Sequence, residues 1–98
     1  MKIRWTVRAS KNLDKILEYL EDEWDIKTVQ NFATKLLNLL ETLKSKPEIG
    51  KIVEKDKEIR SFVLTKQNTV FYRIKDQQII ILQLFDNRMN PKKRFLNI

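Results

Sequence analysis

The chain has no cysteine, no histidine, one glycine (Gly50) and two prolines in 98 residues. Without cysteine it has no disulfides, no thiolate nucleophile and none of the common Cys-containing zinc sites. Without histidine it has no imidazole to act as base or ligand. Most protease-like, ribonuclease-A-like and metallohydrolase chemistries fall on those two absences. Gly-rich loops that cradle nucleotide phosphates need several positions free of a Cβ, and one glycine cannot supply them. ATP and NAD sites are therefore not expected, and neither is a metal or other cofactor. Long apolar runs are missing too: the longest, Ile79-Ile80-Ile81-Leu82, is far short of the roughly 20 residues that cross a bilayer. Residues 1–12 lack the apolar stretch of a secretory signal, so the expectation is a cytoplasmic chain with no membrane partner.

What is present describes one folded unit spanning residues 1–98, with 42% apolar and 34% charged side chains and a net charge of +7. The excess is localised. Residues 1–50 carry nine basic and eight acidic side chains, whereas residues 51–98 carry eleven and five. Lys51, Lys55, Lys57 and Arg60 form one basic group, and Arg88, Lys92, Lys93 and Arg94 another; convergence of the two at one end of a sheet would make a groove for a polyanion. The plainer reading is a solvated basic surface. Glu18, Glu21, Asp22, Glu23 and Asp25 read as a solvated acidic run, and Trp5, Trp24 and Tyr72 as packing residues.

Period-two alternation of Ile3, Trp5 and Val7 predicts a strand over 2–7. Ser10 offers an N-cap, and Leu13, Ile16, Leu17, Leu20 and Trp24 form a helical stripe. Asp25 or Thr28 caps a second helix whose stripe is Val29, Phe32, Ala33, Leu36, Leu37, Leu40 and Leu43, ended at Pro47. So short a connection favours an antiparallel helical hairpin. Three β-rich runs follow at 59–64, 69–74 and 78–85. A two-residue loop at Asp76-Gln77 would set Tyr72 opposite Ile81, Arg73 opposite Ile80 and Lys75 opposite Gln78. Both sheet faces then carry apolar residues, and the one away from the helices is a candidate docking surface or is closed by the C-terminal tail. The fold class is α+β: an antiparallel sheet packed on an N-terminal helical hairpin, in the order β-α-α-β-β-β.

That order resembles the RelE/ParE superfamily of type II toxin-antitoxin toxins. The segments that carry the resemblance are Ile3 to Trp24, Leu43-Lys-Ser-Lys-Pro-Glu-Ile-Gly50, Ile59-Arg-Ser-Phe-Val-Leu64, Val70-Phe-Tyr-Arg-Ile74, and Ile79 to Leu84 with Asp86-Asn-Arg88. The resemblance implies a growth-arresting protein neutralised by a cognate antitoxin. RelE-like members are metal-independent endonucleases that cut mRNA in the ribosomal A site, whereas ParE-like members inhibit DNA gyrase without being enzymes. RelE-like cleavage uses Lys, Arg and a C-terminal Tyr; here Arg60 and Arg88 fall at two basic positions, Phe62 and Thr69 occupy the other two, and the tyrosine position falls at Arg94 or Phe95. Losing a charge-stabilising donor costs roughly a hundredfold in rate, so the expectation is a ParE-like or unassigned target. The alternatives are a ribosome-dependent endonuclease using Arg60 and Arg88, and a non-catalytic basic nucleic-acid-binding module. Arg60 and Arg88 are the candidate catalytic residues. Lys51, Lys55, Lys57, Arg73, Lys92, Lys93 and Arg94 are the candidates for binding the target.

Overall fold

The computed structural model describes residues 1–89. The order is β1 (Lys2–Trp5), α1 (Val7–Glu23), α2 (Ile26–Ser45), β2 (Lys51–Glu54), β3 (Ile59–Val63), β4 (Asn68–Lys75) and β5 (Gln78–Asp86). The expected α+β plan stands with one strand added, β2, and the sheet runs β1-β5-β4-β3-β2. The sheet is mixed, because β1 lies parallel to β5 while every other pair is antiparallel. β2 escapes a reading by alternation because all four of its residues are exposed, Ile52 and Val53 included.

The first strand ends two residues before the expected boundary. Thr6, not Ser10, caps α1: its hydroxyl accepts from the Ala9 N–H at 3.0 Å and reaches the carbonyls of Ile81 and Leu82 at 3.1 and 3.2 Å. Val7, expected in the strand, becomes the first helical residue and is exposed. Asp25 caps α2 as anticipated, accepting from Thr28 N at 2.8 Å. In α2 the buried residues are Phe32, Leu36, Leu39 and Leu43, a 4-3-4 spacing; Leu37, one residue off that line, points outward with 63% of its surface exposed.

The expected hairpin register is the observed one, with Tyr72 opposite Ile81, Arg73 opposite Ile80 and Lys75 opposite Gln78. Asp76 and Gln77 both take positive φ, 53° and 59°, the geometry that a two-residue hairpin loop needs to match the twist of its strands. A bulge between Phe71 and Tyr72 lets Leu82 and Gln83 share one register step, so Leu84 returns to the helix-facing side. That side holds the main core: Val70, Tyr72, Ile79, Ile81 and Leu84 beneath Ile16 and Leu20 of α1 and the α2 stripe. The opposite side carries a second cluster of Ile59, Phe71 and Phe85, with Leu82 against it.

Candidate functional site

Arg60 sits on the helix-facing side of β3, opposite Tyr72. Its Nη1 donates to the carbonyls of Gly50 at 2.8 Å and Glu48 at 3.2 Å, which pins the loop between α2 and β2. Tyr72 holds the same loop from below, accepting from Gly50 N–H at 2.8 Å and donating to the Pro47 carbonyl at 2.7 Å. Burial pushes the Tyr72 phenol above its ordinary value, against the pull of the Gly50 N–H and the charge of Arg60. The only glycine is where backbone must touch ring: a Cβ on Gly50 would stand 2.6 Å from Tyr72 Oη.

Arg88 follows β5. Its Nε and Nη2 take both carboxylate oxygens of Asp86, at 3.0 and 2.6 Å, and its guanidinium lies over the rings of Trp24 and Tyr19, 5.3 and 5.8 Å from their centroids. Asn68 also donates to Asp86, at 2.8 Å. Burial pushes the Asp86 carboxyl up, but the hydrogen bonds from Arg88 and Asn68 and the charge of Arg88 outweigh it and hold it below its ordinary value. Arg88 is correspondingly raised, chiefly by its bond to Asp86. Trp24, expected in the core, is instead a half-exposed cap on α1 that lends its ring to Arg88. Tyr19, whose ring lies 5.8 Å from Arg88, is a residue that sequence reasoning missed; it falls beside the α1 stripe, and nothing in its spacing marks it.

The two expected basic groups do not converge among the described residues. Lys51 lies on the β2 edge, and Lys55 and Lys57 flank the β2–β3 turn at the end of the sheet where β3 begins, the level of Arg73 on β4. Arg88 lies at the other end, the level of Asn68. Those levels are five residues apart on β4, about 17 Å at the usual rise. Arg60 and Arg88 share the helix-facing side but are separated by about 13 Å along the strands and by two strand spacings, about 10 Å, across them. Arg73 is on the far side, beside Ile59 and Ile80, with its Nε buried and without a hydrogen-bond partner. Lys92, Lys93 and Arg94 lie outside the described residues. Among the described residues, no group of three or more His, Cys, Asp or Glu could hold a metal ion, and no helix is long and apolar enough to cross a membrane.

This geometry has relatives of known structure. The chain is similar to a chain of the chromosomal ParDE TA system from P. aeruginosa at a TM-score of 0.71 and 19% identity, covering 88% of this chain and 95% of that one. The YoeB/ParE toxin from Agrobacterium tumefaciens superposes with a TM-score of 0.65, 19% identity, and 88% and 98% coverage. A YafQ mutant from E. coli follows at 0.58, 15% identity, and 90% and 94% coverage. At such identities these likenesses establish the fold. No curated protein matches the chain. Residues 3–91 match the family described as ParE toxin of type II toxin-antitoxin system, parDE. The chain therefore belongs to the ParE family of type II toxins, a membership that implies a cognate antitoxin as its partner.

Proposed function

We propose that this toxin arrests growth in the cytoplasm by binding DNA gyrase, not by cutting RNA, and that its antitoxin blocks that binding. The observation that supports this reading is that Arg60, Tyr72 and Arg88 are all engaged by partners inside the fold. Metal-free cleavage through a ribose 2′-hydroxyl needs one group to activate that oxygen, another to stabilise charge at phosphorus and a third to protonate the leaving oxygen, all around one point. Here Arg60 and Tyr72 hold a loop, Arg88 is neutralised by Asp86, and Arg60 and Arg88 stand about 13 Å apart along the strands and two strands apart across the sheet. Lys51, Lys55 and Lys57, on or beside the β2 edge, would contact the target's surface.

The test sets purified protein against a gyrase supercoiling assay and, separately, against programmed ribosomes. Loss of supercoiling with mRNA left intact is the expected result. A-site cleavage that vanishes in Arg88→Ala, with gyrase unaffected, would replace the proposal with the endonuclease reading. Induced expression that leaves growth untouched while the protein is soluble and folded would leave only a basic binding module.

A further inference from the structure

The sheet register brings together four cations that are far apart in the chain. Lys2 on β1 is level with Gln78 on β5, which is level with Lys75 on β4; Arg4 is level with Ile80, and Ile80 with Arg73. All four side chains take the side of the sheet away from the helices, because Ile3, Trp5, Tyr72 and Ile74, which alternate with them, pack into the main core. The result is a rectangle. Lys2 and Arg4 form one column and Lys75 and Arg73 the other, two strand spacings or about 10 Å apart, with about 7 Å between the members of each column.

Lys2, Arg4 and Lys75 are exposed, and Arg73 is half-buried with its Nε shut away from any acceptor. Among the described residues, none of the four side chains makes an ion pair or a hydrogen bond. The acids nearest in the register are Asp76 in the hairpin loop and Glu54, which lies beyond β3 from Arg73. Four like charges set together repel one another, and an anion relieves that repulsion. Ile80, between the columns, is 5% exposed and Ile59, beside Arg73, is 4% exposed, so the apolar side chains among the cations are out of a partner's reach. A protein partner would need such anchors beside its salt bridges, whereas a nucleic-acid backbone needs cations alone. The spacing of the columns falls between the widths of the two grooves of duplex DNA, about 6 and 12 Å, so each column can follow one of the strands that border a groove. A single strand would engage one column and leave the other idle.

We infer that this face binds the backbone of duplex DNA, with Lys2 and Arg4 on one strand and Arg73 and Lys75 on the other, so that the toxin grips DNA as well as the enzyme that acts on it. The DNA site stands on the patch itself; the joint grip rests on the gyrase reading above.

The test is binding of the full-length protein to a short fluorescent DNA duplex, followed by anisotropy across a salt series. Arg4→Gln with Lys75→Gln removes one charge from each column, and Lys11→Gln with Lys27→Gln removes two from exposed helix positions, so both pairs carry the same net charge. All four positions are exposed, so melting curves should stay near that of the parent. The patch pair should bind about tenfold or more weakly at about 0.1 M salt, with the slope of log K against log salt reduced by about two, while the helix pair keeps the parent's slope. Equal losses in the two pairs would mean that overall charge alone attracts DNA, and would overturn the inference. No binding by the parent, or a single strand of DNA or RNA bound more tightly than the duplex, would overturn it too. Supercoiling is read separately with the same proteins. A parent that binds duplex through the patch but leaves gyrase active removes the gyrase reading and leaves the DNA site standing. Gyrase inhibited as strongly by a patch pair that has lost DNA binding removes the joint grip and leaves the gyrase reading standing.

Discussion

At the residue scale, the loop from Pro47 to Gly50 is tied down by one phenol and one guanidinium. Gly50→Ala must displace the Tyr72 ring or the backbone, since the added Cβ has nowhere to go. A loss of about 2–4 kcal/mol in urea denaturation is expected, from overpacking and from two strained hydrogen bonds. Tyr72→Phe should cost about 1–3 kcal/mol by leaving the Gly50 N–H and Pro47 carbonyl unpaired. The two titrating groups act at opposite ends of the pH scale. The Tyr72 pKa is raised in the fold above 10.0, so its contribution to stability is full below that value and lost as pH rises through the folded value. The Asp86 pKa is depressed below 3.8, so its contribution is present above that value and lost as pH falls through the folded value. Stability measured against pH should therefore lose part of its alkaline slope in Tyr72→Phe and part of its acid slope in Asp86→Asn. Neither residue's role was visible in the sequence as such. Arg88 stood out as a basic residue after the last strand, but which acceptor would claim it depended on Asp86 being buried beside it.

At the element scale, the two helix caps are not equivalent. Asp25 makes a local, exposed cap, whereas Thr6 caps α1 and also reaches across to β5, where it touches two carbonyls. Thr6→Ala should lower stability by about 1–2 kcal/mol and Asp25→Ala by less, read from thermal melts. The helices were legible because each buries one side and leaves the other wet, so hydrophobic period reports the element; the β4–β5 hairpin, covered on both sides, was legible from its runs of β-branched and aromatic residues between turn signals. The register followed from counting outward from a two-residue loop. β2 was not legible because its edge position leaves it no buried side to impose alternation. The start of α1 was misread for a related reason. Val7 continues the apolar alternation of β1 but is spent in the solvent-facing first turn of a helix, and only the reach of Thr6 to β5 decides the boundary.

At the scale of the whole molecule, the sheet's first strand and last strand lie side by side in parallel, Lys2 level with Gln78 and Trp5 with Ile81. Pairings this distant in sequence carry a large loop-closure cost and form late in folding. Ile3→Ala is expected to speed unfolding more than it slows refolding in stopped-flow fluorescence, with Trp24→Phe as background so that Trp5 reports alone. The scattering of basic residues over an edge and two ends of the sheet also explains why net charge was a poor guide to a site: it fixes the sign of the attraction but not its place. The fold class could be read because it depends on summed patterns. The arrangement of Arg60, Arg73 and Arg88 depends on which side of each strand every residue takes, and on partners far off in the chain.

The parallel pairing bears on when the protein becomes dangerous. During synthesis β1 is made 76 residues before its partner in β5, the separation of Lys2 from Gln78. Until β5 joins β1 the sheet lacks the strand that Ile16 and Leu20 of α1 cover, so the protein has the complete fold of a toxin only once that one distant pairing has formed.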